Sequence, residues 1–201
     1  MRKALLIVLT TIATCATPAV AGEPTDTLKQ RVDRVLQILA EPGEHRAQIR
    51  KIAEDTFDFE DMARRALGPH WAGRTPEERR QFVPLFVDLL ERSYVGRIES
   101  GRGGKVLYTG ESISGDEASV RTRVVTPQRT EVPVDYRLHR KNGRWLAYDV
   151  SIEGVSLVNN YRSQFNAVIQ SSSFAALLDR LRAKEPDSAA SPGGASRSRR
   201  D

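Results

Sequence analysis

The sequence WLAYDVSIEGVSLVNNYRSQF, residues 145–165, joins an alternating strand to an amphipathic helix through a glycine hinge at Gly154. Apolar residues recur at every third or fourth position after the glycine, which is the period of a helix with one buried side. Before it the period is two: Leu146, Tyr148, Val150 and Ile152 alternate with Trp145, Ala147, Asp149 and Ser151. This stretch therefore predicts a strand with one apolar face, a turn and a helix.

The same period of two continues upstream. It is present at residues 105–109, 118–125 and 131–139, each with one face richer in apolar residues than the other. Lys141-Asn142-Gly143 is a tight hairpin signal, and residues 126–129 are typical of a looser turn. These features predict an antiparallel sheet of about four strands with one apolar and one wetter face.

Helical periodicity dominates the first half of the chain and returns at its end. A cap at Thr25 or Asp26, a cap at Asp58, and the capping box Thr75-Pro76-Glu77-Glu78 mark three helix starts. A further cap is expected at Ser172 or Ser173. The predicted helices span about residues 26–39, 44–54, 59–67, 76–99, 156–170 and 174–181. The fold class is therefore α+β.

The predicted helix at residues 76–99 is unusually apolar. Its apolar side chains cover an arc of roughly 200°, whereas an ordinary surface helix needs only somewhat more than about 100°. Such a helix must be covered from two sides. Either other helices cover both flanks, or a ligand covers one of them.

The two ends of the chain have compositions of their own. Residues 1–21 contain a basic start, a short apolar run and Ala19-Val20-Ala21, which predicts a cleaved secretory signal peptide. Residues 185–201 are rich in Pro, Ser, Ala, Gly and Arg without periodicity, which predicts a disordered tail. Residues 22–184 then form a single domain. The formal charge of +5 falls to +3 once Arg2 and Lys3 leave with the signal, which is too mild to favour nucleic acid as a partner.

Residues that usually bind metals or carry catalysis are scattered. His45, His70 and His139 stand far apart, and the one cysteine, Cys15, lies in the predicted signal peptide. The acidic run at residues 54–61 lacks the pattern of a calcium loop, and no nucleophile or phosphate-loop motif is present in the sequence. Three arginine pairs are candidates for phosphate contacts, with a solvated surface as the alternative: Arg64-Arg65, Arg79-Arg80 and Arg121 with Arg123. We therefore expect no enzyme activity, no metal and no cofactor.

The order and spacing of several short motifs resemble the MlaC family, also called toluene-tolerance proteins. The resemblance runs from about Leu28 to Arg182 and is strongest at Tyr148-Asp149 and Glu153-Gly154-Val155-Ser156. Its other pieces are Phe57-Asp58-Phe59, Ala66-Leu67-Gly68, Trp71, Thr75-Pro76-Glu77-Glu78 and Phe86.

This resemblance implies a monomeric periplasmic carrier that moves phospholipid between the inner and outer membranes, with the lipid as cargo. It also implies a curved sheet with helices packed on one face and an apolar cavity between them. The implied partners are an inner-membrane ABC-type lipid transporter and an outer-membrane lipoprotein–porin complex. The apolar positions that would then line the cavity are Phe82, Phe86, Leu89, Leu90, Tyr94, Tyr108, Val124, Val134, Tyr136, Tyr148, Val150, Tyr161, Phe165 and Val168.

Three alternatives stay open on the sequence alone. The same periodicity suits a small enzyme or small-molecule binder shaped as a helix-and-sheet cone, which would need a polar acid–base pair inside. It also suits a periplasmic interaction module with a solid core. Within the carrier class, a hopanoid- or sterol-like ligand is an alternative cargo.

Overall fold

The computed structural model describes residues 22–100 and 102–184. The predicted signal peptide and the predicted tail lie outside these residues. The helices are α1 (Glu23–Ala40), α2 (Arg46–Thr56), α3 (Phe59–Leu67), α4 (Pro76–Ser100), α5 (Leu157–Ser171) and α6 (Phe174–Ala183), with a short 3₁₀ turn at Gly68–His70. The strands are β1 (Lys105–Ser114), β2 (Glu117–Val125), β3 (Glu131–Lys141), β4 (Arg144–Ile152) and β5 (Val155–Ser156).

The strands form one open antiparallel sheet in the order β1-β2-β3-β4-β5, so the α+β prediction is confirmed. The expected count of about four strands omits β5. A tight turn at Glu153 and Gly154, both with positive φ (50° and 81°), folds β5 back onto β4 before α5 begins. Two residues of strand are too short to leave a periodic signal.

Local capping signals place most helix starts correctly. Asp58 accepts a hydrogen bond from the backbone N–H of Asp61 at the start of α3. The capping box before α4 is complete, because the Thr75 N–H donates to Glu78 and the Glu78 N–H donates to the Thr75 hydroxyl. The predicted cap of α1 is wrong: the helix begins at Glu23, with Gly22 at the N-cap position. Its capping oxygens come from Glu111 on β1, which no local pattern could indicate.

Two β-bulges change which residues share a face. In β1 the register shifts between Tyr108 and Gly110, so the apolar alternation stops at residue 109 although the strand continues to Ser114. In β4 the register shifts near Tyr148: Leu138 pairs with Ala147, whereas Tyr136 pairs with Val150. Since each bulge reverses the side on which later residues lie, the prediction that Tyr148 and Val150 share a face is wrong.

The inner face of the sheet, as we use the term, is the one that carries Val120, Val134, Leu138, Ala147 and Val150. Trp145 and Ala147, predicted on the wetter side, belong to it, because they pack with Leu138 and Val120. Leu28 of α1 is 1% exposed and packs against the same cluster. Helix α1 therefore covers part of the inner face.

The other helices form a second core beside the sheet. Helices α3, α4, α5 and α6 pack against one another, and α3 and α5 also contact β4. Of the two alternatives for α4, cover by other helices holds for Phe82, Phe86, Leu89 and Leu90, which belong to this helical core. In the part of the chain that the structure describes, no helix is both long and apolar enough to cross a membrane.

Candidate functional site

The first group of predicted lining residues lies on the inner face and on the C-terminal half of α4. Val134 and Val150 are buried there, and Tyr94, Val124 and Tyr136 pack against them while only half-buried themselves. Tyr108 lies further along the same face, against the cluster that α1 covers. Half-buried aromatic and aliphatic side chains on an apolar surface leave area that an apolar ligand could cover.

The second group of predicted lining residues lies inside the helical core. Phe82, Phe86, Tyr161 and Phe165 are 0 to 4% exposed, and neighbouring rings lie 5.5 to 5.8 Å apart between centroids. Such distances are typical of stacked and edge-to-face aromatic packing. Leu89, Leu90 and Val168 belong to or pack against this core. The helical candidates other than Tyr94 therefore lie in the helical core, whereas Tyr94 packs against the inner-face cluster as well.

Tyr148 stands apart from both groups. The Arg65 guanidinium lies 4.1 Å from its ring centroid, and the ring of His139 lies 5.4 Å away on the same side. Burial raises the pKa of the Tyr148 hydroxyl above its ordinary value, and the nearby Glu117 acts in the same direction. Tyr148 thus packs beneath α3 on the outer face rather than beside Val150.

Two tyrosines put phenolic hydroxyl groups on the largely apolar inner face. Burial raises the pKa of Tyr136 to about 12, and burial also raises the pKa of Tyr108, with Tyr136 and Asp33 adding to the effect. Both phenols therefore stay neutral at physiological pH. The Tyr108 hydroxyl oxygen is buried and has no hydrogen-bond partner among the described residues. An orphan hydroxyl in an apolar setting is a place where a ligand atom could supply the missing partner.

The motif around Asp149 has a structural role. Asp149 is 4% exposed, and its carboxylate accepts hydrogen bonds from the Ser156 hydroxyl at 2.6 Å and from the Val158 N–H at 3.1 Å. The Ser156 oxygen in turn accepts from the Asn159 N–H. One buried carboxylate thereby caps α5 and fixes the turn that precedes it.

A second buried carboxylate, Asp58, anchors a charged cleft of about 280 Å³ on the outer side. Besides capping α3, it accepts from Lys141 Nζ at 2.8 Å and contacts His139 Nε2 at 3.0 Å. Burial alone would raise the pKa of Asp58, but the hydrogen bonds from Lys141, the Asp61 N–H and His139 outweigh it and lower that pKa. The neighbouring Asp61 behaves alike: its hydrogen bonds from Arg65 and Arg64 outweigh burial and lower its pKa.

Neither of two surface depressions in the described part lies at the predicted lining residues. One is the charged cleft at Asp58. The other, of about 640 Å³, follows the polar side of α1 from Glu23 to Asp33. Both are lined by charged and polar side chains.

Phe57 is not among the predicted lining residues, although it packs against all three hydrophobic clusters. This half-buried ring packs against the helical core and against both clusters on the inner face. Phe57 forms an isolated parallel bridge with Ala147, and the Asp58 N–H donates to the Ala147 carbonyl. Its position directly before the Asp58 cap is a sequence signal for burial, because an apolar residue that precedes an N-cap often packs against the start of the helix.

The remaining candidates for chemistry have internal partners. His45 contacts the Glu41 carbonyl, and His70 contacts Asn166. Ion pairs or backbone carbonyls engage five of the paired arginines: Arg64 and Arg65 with Asp61, Arg79 with Trp71, Arg80 with Glu77, and Arg123 with Glu131. Within residues 22–100 and 102–184, no group of three or more His, Cys, Asp or Glu side chains could hold a metal ion.

Comparison with known proteins gives concordant matches. A family model described as MlaC protein matches residues 25–183. The intermembrane phospholipid transport system binding protein MlaC of Haemophilus influenzae is 23% identical over 190 residues, covering 88% of this chain and 89% of that protein. The toluene tolerance protein ttg2D of Pseudomonas putida is 22% identical over 178 residues, covering 85% and 83%.

A solved structure matches as well. The phospholipid-binding protein from Ralstonia solanacearum, in complex with a phospholipid, superimposes with a TM-score of 0.73 and 26% identity. The match covers 81% of this chain and 97% of that one. The helices and open sheet described above are therefore shared with a protein whose structure was solved in complex with a phospholipid.

Proposed function

This chain belongs to the MlaC family, and on that premise we propose that it binds phospholipid in the periplasm and carries it between the outer and inner membranes. The match to the phospholipid-complexed Ralstonia protein carries the proposal. We further propose that it works with an inner-membrane ABC-type transporter and an outer-membrane lipoprotein–porin complex.

The physical need for such a carrier follows from the hydrophobic effect. A two-chain phospholipid exposes roughly 30 methylene groups to water, and each is worth about 0.8 kcal/mol when buried. Unassisted transit through water is therefore negligible. A protein that only matches the membrane interior can still transfer lipid, because net transfer then requires little free energy in either direction.

We place the acyl chains against the inner face rather than in the helical core. Tyr94, Tyr108, Val124 and Tyr136 keep part of their surface uncovered by protein, and Val134 and Val150 border them. By contrast, the rings of the helical core cover one another, so lipid there would have to displace protein contacts. In this proposal the candidates of the helical core do not contact the lipid but contribute to the stability of the fold.

The enzyme alternative has little to build on in the described residues. The buried carboxylates there are Asp58 and Asp149, and both cap helices. The buried hydroxyl of Thr122 donates to the Val134 carbonyl within the sheet. A solid-core interaction module remains the competing proposal, and it predicts no bound lipid.

Native mass spectrometry of protein purified from its host periplasm, followed by organic extraction, tests the proposal. We expect diacyl phospholipid to co-purify; extraction of a hopanoid or sterol instead would identify a different cargo and overturn the phospholipid assignment. Val150→Trp and Val124→Trp should fill the inner face and lower lipid loading several-fold. Leu107→Trp is the matched control, because Leu107 lies on the outer face and is 39% exposed.

Circular dichroism of each variant checks that it remains folded, and two inner-face variants are used in case one does not. Lipid-free wild-type protein would refute the proposed function. Equal lipid loading in folded Val150→Trp, Val124→Trp and Leu107→Trp would refute the proposed site. Transfer of labelled phospholipid between donor and acceptor vesicles then tests the carrier step.

A further inference from the structure

Helix α1 is fastened to the sheet through its first residues. The Gly22 N–H donates to Glu111 Oε1 at 3.0 Å, while the N–H and hydroxyl of Thr25 donate to Oε2 at 2.8 and 2.6 Å. Glu111 lies on β1 just beyond the bulge, so its carboxylate reaches the helix start from a separate element. At the helix start, the Glu111 side chain thus joins α1 to β1, in addition to the Arg31 contact with the Trp145 carbonyl and the Arg140–Glu23 ion pair.

The Gly22 nitrogen is also the atom that leader removal would expose. Ala19-Val20-Ala21 places the expected cleavage at the Ala21–Gly22 peptide bond. Hydrolysis adds one water, leaves a carboxylate on Ala21, and turns the Gly22 amide nitrogen into an α-ammonium group. That nitrogen stands within hydrogen-bond distance of a carboxylate that already caps the helix.

We propose that cleavage between Ala21 and Gly22 creates an ion pair between the α-ammonium group of Gly22 and Glu111, and that this pair locks α1 onto the sheet. Before cleavage Gly22 offers one neutral N–H; afterwards it offers three donors and a positive charge. The hydrogen bond to the Glu111 carboxylate is charge-assisted in both forms, and the α-ammonium group adds a Coulomb attraction between unlike charges at a donor–acceptor distance of 3.0 Å. The processed chain therefore holds its first helix more firmly than the precursor does.

The short distance between the Gly22 backbone and the Glu111 carboxylate favours glycine at position 22. A Cβ atom built on Gly22 would lie 2.2 Å from Glu111 Oε1 and 3.2 Å from Ile113 Cδ1. A larger residue would push the carboxylate away from its three donors. Because α1 covers the Leu28 cluster on the inner face, the ion pair also fixes one wall of the interior.

The inference needs the cleavage site but not lipid binding, so its failure is distinguishable from failure of the carrier proposal. Intact-mass measurement of the exported protein is expected to give an N-terminus at Gly22, and any other N-terminus overturns the inference. Two chains are then compared by urea unfolding after lipid extraction: one beginning at Gly22, and one that retains Val20 and Ala21, whose Gly22 nitrogen stays an amide.

The chain beginning at Gly22 should have an unfolding equilibrium constant about tenfold smaller, which corresponds to about 1.4 kcal/mol. Glu111→Gln should abolish this difference between the two chains, because it removes the carboxylate and keeps the shape. The control is Glu117→Gln, which changes the exposed glutamate at the start of β2 and should preserve the difference in stability between the two chains. Equal stability of the two wild-type chains, or a difference that survives Glu111→Gln, would overturn the ion pair.

Discussion

Replacing Asp149 with alanine should destabilise the protein strongly, although Asp149 has no proposed part in binding. The change removes the acceptor of the Val158 N–H, which is buried at the start of α5. A buried donor without a partner costs about 1–3 kcal/mol, and losing a negative charge at a helix N-terminus costs roughly another 0.3–2 kcal/mol. We expect a loss of about 2–4 kcal/mol in the free energy of unfolding.

For a domain of this size, each kcal/mol lost from the free energy of unfolding lowers Tm by about 2–4 °C, so Tm should fall by roughly 5–15 °C. Urea unfolding followed by circular dichroism measures the loss. Ser156→Ala should cost only about 1 kcal/mol, as for other N-cap residues. The exposed Ser163→Ala on the same helix is the control and should be near neutral.

The double variant Asp149→Ala/Ser156→Ala separates the contributions. Since Ser156 donates to Asp149, the two losses should fall short of additivity by at least about 0.5 kcal/mol. A loss below about 0.5 kcal/mol for Asp149→Ala would refute the cap as the reason for this motif. Strict additivity would refute the coupling between the two residues.

Three more outcomes follow from buried groups. The lowered pKa of Asp58 means that its contribution to stability is present above the ordinary pKa of about 3.9 and is lost as pH falls through the folded value. Asp58→Asn, and to a lesser degree Lys141→Met, should therefore reduce the decrease in the free energy of unfolding, measured with urea, that occurs below about pH 4. The same decrease in the variants and in the wild type would contradict this role of Asp58. Tyr108→Phe should leave lipid-free protein equally stable or more stable by up to about 1 kcal/mol, because the hydroxyl has no partner; a clear loss in urea unfolding would mean that it has one. Phe86→Ala should cost about 3–5 kcal/mol in the same assay, and a near-neutral result would show that its ring is not part of a solid core.

The local features of this fold could be predicted because their partners lie close in sequence. The Thr75–Glu78 capping box closes within one helical turn, and the turn at Asn142 and Gly143, with φ of 51° and 73°, needs only two residues that tolerate positive φ. Strand and helix periods likewise record which side of each element avoids water. These signals gave the α+β class and most of the helices.

The faces of the sheet and the contents of its interior depend on tertiary structure. A bulge is defined by the partner strand, so the bulges near Thr109 and Tyr148 were invisible to alternation within a single strand. For the same reason, the apolar pattern alone could not show that Phe86 is packed among other rings whereas Val150 lies on the inner face of the sheet. Hydrophobic periodicity records that a side chain leaves water, whereas only the assembled chain determines what covers it.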